Sequence, residues 1–127
     1  MSGLFTYNKE EKLKSRKLIE YLFSKGKRIS AFPVIVLYNF VEGDTLVPLQ
    51  AGVTTSSRNF KKAIERNRVK RILREAYRLQ KLPLQHHLKE QNRSLALFFI
   101  FTGKELPVFA EVFEKMGIIL QRLQKDI

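Results

Sequence analysis

The sequence predicts a single domain of the mixed α/β class, with elements in the order α, β, β, α, β, α and a further strand through Gly52 as an open alternative. Three segments carry apolar residues at helical spacing, and others are dense in β-branched and aromatic residues. The chain has 127 residues, of which 44% are apolar. This length and apolar content suit one compact core and exclude a disordered basic tail.

The first helix is predicted over residues 9–25, and Gly26 ends it. Its apolar stripe has i, i+1, i+4, i+5 spacing and consists of Leu18, Ile19, Leu22 and Phe23. Strands are predicted over residues 32–41 and 46–54, with a turn at residues 42–45 between them. The simplest interpretation is an antiparallel hairpin, in which Pro48 confines the start of the second strand to an edge.

The longest helix is predicted over residues 59–81, where Pro83 ends it. A polar connection with His86 and His87 follows. The continuous apolar run of residues 95–101 then predicts a strand that is buried on both faces. Beyond Pro107 the helical spacing returns and predicts a last helix. Its apolar positions are Val108, Val112, Met116, Ile119, Leu120 and Leu123.

The net charge of the chain is +12, from 24 lysines and arginines against 12 acidic residues. Residues 58–81 contain ten of the basic residues, and their only acidic residues are Glu65 and Glu75. Residues 9–28 add eight basic and three acidic residues. This concentration of positive charge favours a polyanionic partner, and we expect that partner to be a nucleic acid.

A 3.6-residue wheel divides the central helix into an apolar face and an opposite, polar face. We expect the apolar face to be buried, and it carries Val69, Ile72, Leu73, Ala76 and Leu79. The opposite face carries Asn67, Lys70, Arg71, Arg74 and Arg78. Guanidinium groups suit bidentate contacts with phosphate, so this face predicts binding to a nucleic-acid backbone. Charge alone leaves a merely solvated basic face as the alternative.

Neither a catalytic group of the protein nor a metal site is predicted. The chain has no cysteine, which removes disulfides and thiolate ligands and fits a reducing, cytoplasmic location. His86 and His87 are adjacent, so they cannot share a helical face, and we expect them at the surface. The longest nearly uncharged run, residues 95–103, is shorter than the about 20 residues of a membrane helix. We therefore expect no membrane segment and no signal peptide.

Residues 66–76 read Arg-Asn-Arg-Val-Lys-Arg-Ile-Leu-Arg-Glu-Ala. They resemble the signature of the bacterial ribonuclease P protein component, R-N-x-x-K-R-x-x-R-E, at every fixed position. The resemblance extends to residues 13–26, 36–38 and 51–54, and it covers residues 11–80 well. Just before the signature the chain departs from the family, because Lys61-Lys62-Ala63-Ile64 stands where Gly-Asn-Ala-Val is common.

The resemblance implies a two-layer α/β sandwich with a left-handed βαβ crossover, against the usual right-handed rule. It implies the protein subunit of a ribozyme that removes the 5′ leader from precursor tRNA, with the chemistry carried by the RNA. The implied partners are the catalytic RNA and precursor tRNA, with magnesium held mainly by the RNA and no protein partner required. The residues expected to bind the RNA are Arg66, Asn67, Arg68, Lys70, Arg71 and Arg74, with Arg78 and Lys62 added for their charge.

The family also implies an aromatic cleft between the first helix and the sheet, which receives the single-stranded leader. Phe23 and Tyr38 match positions of that cleft, and Phe32 is a looser candidate. Ile19 is also expected to line the leader site, but it stands where the family often has an aromatic residue, so one stacking platform is expected to be missing. From its position in the apolar stripe alone, Phe23 fits core packing equally well.

Two other functions remain as alternatives. A non-catalytic RNA-binding scaffold, such as a ribosomal protein, would have the same basic helix without a leader cleft. A peripheral membrane protein with a basic amphipathic helix is the weaker alternative, because the core needs the apolar face of that helix.

Overall fold

The computed structural model describes residues 9–41 and 47–127, and in these ranges it contains a four-stranded sheet and four α-helices. The strands are β1 (Lys27–Ala31), β2 (Val34–Val41), β3 (Leu49–Thr55) and β4 (Ser94–Phe101). The helices are α1 (Arg16–Lys25), α2 (Ala63–Arg78), α3 (Leu82–Gln91) and α4 (Phe109–Asp126). A 3-10 turn, Lys9–Glu11, precedes α1. The predicted mixed α/β class is confirmed.

The strands lie side by side in the order β1, β2, β4, β3. The pairs β1–β2 and β2–β4 are antiparallel, whereas β3 and β4 are parallel. The chain passes from β3 to β4 through α2 and α3, so these elements form a βαβ unit between neighbouring strands. The left-handed crossover implied by the family stays a prediction.

The predicted hairpin between residues 32–41 and 46–54 is wrong. Strands β2 and β3 are not neighbours, because β4 lies between them. The side chains of β4 are buried on both faces of the sheet from Leu95 to Phe99, which agrees with its place inside the sheet between β2 and β3. The hairpin in the structure joins β1 to β2, and the turn predicted at residues 42–45 lies outside the described residues.

Two further elements were not predicted from the sequence. Strand β1 alternates between buried Ile29 and exposed Arg28 and Ser30, a period of two that is typical of an edge strand. Helix α3 occupies the predicted polar connection. Pro83 lies in the first turn of α3, where its missing N–H costs no helical hydrogen bond, so it begins a helix and does not only end one.

The helices cover the two faces of the sheet unequally. Helices α2, α3 and α4 pack on one face and form the main core with the alternate residues Val36, Leu97 and Phe99 of the strands. Helix α1 packs on the other face, where a smaller core includes Leu22, Leu37 and Phe98. Among the described elements, α1 is the helix that packs on this second face, and Ile35 and Ile100 there remain half-buried.

Local signals fix the ends of α1. The Ser15 hydroxyl accepts a hydrogen bond from the backbone N–H of Leu18 at 3.3 Å, so the helix begins later than the predicted residue 9. Gly26 ends it, as predicted. A Cβ atom at Gly26 would lie 2.5 Å from the carbonyl oxygen of Leu22, so no other residue fits this close approach without a shift of the backbone.

Candidate nucleic-acid interface

The core side of α2 holds the helix firmly against the sheet. Its buried residues are Val69, Leu73, Ala76 and Tyr77, and Ile72 packs partly buried beside them. The prediction that Leu79 is buried is wrong, because the helix ends at Arg78 and Leu79 is 37% exposed. Tyr77 takes its place in the core and packs against Phe99 with ring centroids 5.5 Å apart. The polar side of α2 must therefore point away from the sheet.

That polar side is what we call the basic face, and it comprises Asn67, Arg68, Lys70, Arg71 and Arg74. All of these side chains are exposed except Lys70, which is half-buried. At a rise of about 1.5 Å per residue, the four cations lie within roughly 10 Å along the helix axis. Their mutual repulsion destabilises the isolated helix, and a row of phosphates would relieve it. The helical wheel predicted Asn67, Lys70, Arg71 and Arg74 on this face, and Arg68 was expected from the family resemblance.

Arg66, the first residue of the signature, is turned toward its own chain. Its Nη1 donates hydrogen bonds to the carbonyl oxygens of Phe60 at 2.9 Å and Lys61 at 2.8 Å. Phe60 is buried, and its ring lies 6.0 Å from that of Phe101. Arg66 thus stabilises the loop that leads into α2, and only part of its guanidinium group is available to a ligand.

Arg78, at the end of α2, is paired with Glu75. Its Nε donates to Oε2 of Glu75 at 3.2 Å, and its Nη2 donates to Oε1 of the same carboxylate. The hydrogen bond from Arg78 lowers the pKa of Glu75, and the same bond raises the pKa of Arg78. The charge of Arg78 is therefore offset within the helix, unlike the charges of the basic face.

Lys62 lies at the entry to α2. It is the N-cap residue, its side chain makes no capping hydrogen bond, and it is exposed. Ile64, two residues further on, is 77% exposed and lies on the solvent side of the helix. The positive charge of the interface thus extends to the first turn of α2, next to the positive end of the helix dipole.

The opposite face of the sheet, against which α1 packs, is where the family resemblance places the aromatic cleft. Phe23 is 57% exposed at the end of α1, and its ring meets that of Phe98 on β4 with centroids 5.4 Å apart. Ile19 is half-buried one turn earlier and packs against the smaller core. The structure thus brings Phe23 and Ile19 to the side of α1 that borders the sheet.

Tyr38 and Phe32 do not join Phe23 in this cleft. Tyr38 is only 6% exposed and belongs to the main core on the α4 side of the sheet, so its expected place beside Phe23 is wrong. Burial raises the pKa of Tyr38, Asp126 on α4 raises it further, and Arg122 lowers it. Phe32 lies on the β1–β2 turn, where it lines a groove of about 390 Å³ with residues of the β4–α4 loop.

Phe98, which contacts Phe23 on this side of the sheet, was not singled out from the sequence. It lies within residues 95–101, which are all apolar, so the sequence does not distinguish the residues of one sheet face from those of the other. Its cross-strand neighbour distinguishes it, because Phe98 pairs with Gly52, the one glycine of β3. Only the pairing of β3 with β4 reveals that neighbour.

The described residues contain no cluster of three histidine, cysteine, aspartate or glutamate side chains that could hold a metal ion. His86 is exposed on α3, and His87 is half-buried there beside Gln91. None of the helices in the described ranges is both long and apolar enough to cross a membrane.

Comparisons with known proteins agree with this geometry. The family model named Ribonuclease P matches residues 7–124. The ribonuclease P protein component of Porphyromonas gingivalis is 32% identical over 123 residues, which cover 97% of this chain and 90% of that protein. That of Desulfatibacillum aliphaticivorans is 34% identical over 87 residues, covering 68% of this chain and 67% of its own.

The fold has a counterpart among solved structures. The RNase P protein of Staphylococcus aureus superimposes with a TM-score of 0.66 at 15% identity, covering 89% of this chain and 94% of that one. At that identity the match supports the fold alone, whereas the family model and the relatives carry the assignment. The resemblance found in residues 66–76 is confirmed, and this chain belongs to the ribonuclease P protein family.

Proposed function

We propose that this chain is the protein subunit of ribonuclease P, which binds the catalytic RNA and the 5′ leader of precursor tRNA and so assists removal of the leader. The observation that carries the proposal is the basic face of α2. Its arginines are exposed, Lys70 is half-buried beside them, and the buried side of the helix fixes these cations in one row. Guanidinium and ammonium groups in such a row match consecutive phosphates of a folded RNA.

The chemistry is assigned to the RNA. The basic face offers guanidinium, ammonium and amide groups, which donate hydrogen bonds and do not act as general bases at neutral pH. The side chains there also do not suit a divalent cation, which prefers oxygen ligands and negative charge. We therefore propose that magnesium is held mainly by the RNA, while the protein neutralises phosphates around it.

The leader is assigned to the other side of the sheet. Phe23 is exposed on the α1 side, whereas the basic face lies on the α2 side, so the two surfaces can hold separate segments of RNA. Stacking on an aromatic ring is tolerant of base identity, which suits leaders of varied sequence. Because the relatives are bacterial, we also propose that the subunit works in the cytoplasm.

Reconstitution tests this function. The protein is added to the catalytic RNA of ribonuclease P at low magnesium, and cleavage of precursor tRNA is measured by gel. We expect faster cleavage with the protein than with the RNA alone, and tighter binding of precursor tRNA than of mature tRNA. If the protein binds the RNA and the cleavage rate does not change, the alternative of an RNA-binding scaffold is correct.

A further inference from the structure

We propose that Phe98 is a positioning residue for the leader site: it holds the Phe23 ring so that one face is presented to an unpaired base, and Gly52 provides the space in which Phe98 lies. The inference rests on the proposed function and concerns how this chain builds its stacking surface. The partner is a single-stranded nucleotide of any base identity, held through its flat face.

The strand register places Phe98 in a row that crosses the sheet. Arg28 pairs with Leu37, Leu37 pairs with Phe98, and Phe98 pairs with Gly52. Cross-strand partners point to the same face, and the burial of Leu37 and Phe98 in the smaller core identifies that face as the α1 side. Phe98 therefore lies in the floor beneath the end of α1, with the exposed Arg28 at the sheet edge of the same row.

Gly52 leaves room for the Phe98 ring to lie close to the backbone of β3. A Cβ atom on Gly52 would lie 2.9 Å from Cδ1 and 3.0 Å from Cε1 of Phe98. The aromatic ring therefore lies across the backbone of β3 in a place that any larger residue would occupy. Because Phe98 is 8% exposed, its own surface is too small to bind a base, and its contribution is to support another side chain.

The side chain that it supports is Phe23. The two rings meet at an interplanar angle of 67°, so the contact is edge to face and uses little of the Phe23 surface. Phe23 keeps 57% of its surface exposed, although its neighbour Leu22 on the same helix is fully buried. A fixed, exposed ring favours stacking, because a base that binds a mobile ring loses affinity through the conformational entropy of ordering that ring.

The next row of the sheet completes an open surface beside the ring pair. It consists of Ser30, Ile35, Ile100 and Thr54, which are paired in that order. Ile35 and Ile100 are only half-buried, so α1 does not cover this row. A base stacked on Phe23 would therefore border apolar side chains, and neighbouring phosphates would remain within the field of the exposed lysines and arginines of residues 25–28.

The experiment compares Phe98→Leu and Gly52→Ala with the control Phe99→Leu in the reconstituted holoenzyme. Phe99 is the next residue of β4, but it faces the other core and packs on Tyr77, so its truncation reports the cost of a cavity alone. Each variant is first checked by thermal melting. The affinities for precursor tRNA and for mature tRNA are then measured, and 2-aminopurine is placed at successive leader positions to report stacking.

We expect Phe98→Leu and Gly52→Ala to reduce the ratio of the two affinities about 5-fold to 10-fold, the lower range for one stacked base. The 2-aminopurine at one leader position should brighten, since the base is no longer stacked. Phe99→Leu should lower the melting temperature and leave the ratio unchanged. If the folded Phe98→Leu and Gly52→Ala proteins keep the wild-type ratio and fluorescence, or if Phe99→Leu lowers the ratio equally, the inference is wrong.

These outcomes differ from a failure of the proposed function. If the wild-type protein neither speeds cleavage nor favours precursor over mature tRNA, the function itself is contradicted. If the wild-type protein does both and the Phe98 and Gly52 variants match it, only the positioning role is lost.

Discussion

Lys81 and Glu11 form a buried ion pair that joins two distant parts of the chain, 70 residues apart. Lys81 lies between α2 and α3 and is 1% exposed, and the Glu11 side chain is 9% exposed in the 3-10 turn before α1. The residues after Glu11 lie along the edge of β3, where the N–H of Leu13 donates to the carbonyl oxygen of Ala51 at 2.9 Å. The pair thus links the signature helix to the segment that leads into α1.

Lys81→Met should destabilise the protein strongly. The substitution keeps the length of the side chain but leaves the Glu11 carboxylate buried beside an apolar group, and breaking a buried pair costs about 3 to 5 kcal/mol. Urea denaturation followed by circular dichroism should measure a loss of this size. Glu11→Gln should be costly for the same reason, and the double variant should lose less than the sum of the single losses. Additive losses would mean that the two side chains do not interact.

Arg71→Ala and Arg74→Ala should weaken binding to the catalytic RNA and flatten its dependence on salt. Each exposed guanidinium that neutralises one phosphate contributes about 0.7 to 0.9 to the slope of log affinity against log salt concentration. Filter binding between low and moderate salt measures this slope. Lys89→Ala is the matched control, because Lys89 is exposed on α3 and lies outside the basic face. An unchanged slope for both arginine variants would place the RNA elsewhere.

Glu75→Gln should have the opposite effect. The pKa of Glu75 is lowered by Arg78, so the carboxylate stays ionised at neutral pH and continues to offset the arginine. Removing that charge leaves the charge of Arg78 less offset, and the salt slope should steepen by up to about 0.9. Glu90→Gln on α3 serves as the control for a general change in net charge. If the two variants bind alike, Arg78 does not face the RNA.

Phe23→Leu should reduce the preference for precursor over mature tRNA, whereas Tyr38→Phe should preserve it. Phe23 is exposed on the α1 side, and Tyr38 is buried on the α4 side. One lost stacking contact corresponds to about 1 to 3 kcal/mol of leader affinity. Competition binding between precursor tRNAs that share one tRNA sequence and differ only in the leader measures this contribution. Loss of the preference in Tyr38→Phe would mean that Tyr38 does contribute to leader binding.

The buried phenol of Tyr38 should make the protein less stable at high pH. Its pKa is raised above 10.0 in the folded state, first by burial and then by Asp126, so folding favours the protonated form. The contribution is complete below the unfolded pKa and is lost as the pH rises through the folded pKa. The melting temperature of the wild type should therefore fall relative to that of Tyr38→Phe as the pH rises above 10. Parallel curves across that pH would contradict the assignment.

The sequence determined the parts of this protein that depend on neighbours along the chain. Helical spacing located α2 and α4, Gly26 marked the end of α1, and the apolar run located β4. The basic face was also readable, because residues three and four apart lie on one side of a helix whatever it packs against. The signature within residues 66–76 then identified the family.

Only the tertiary structure decided which strands are partners and which face each strand residue occupies. The pairing of β3 with β4, and not with β2, follows from contacts across 46 residues or so, and no local period encodes them. That pairing brings Gly52 beside Phe98, whereas the register of β2 with β4 places Tyr38 opposite Leu97 in the main core, on the other face from Phe23. The physical reason is that the spacing of apolar residues along the chain predicts the type of each element. The pairing of strands depends on which apolar faces can be buried together in the folded protein.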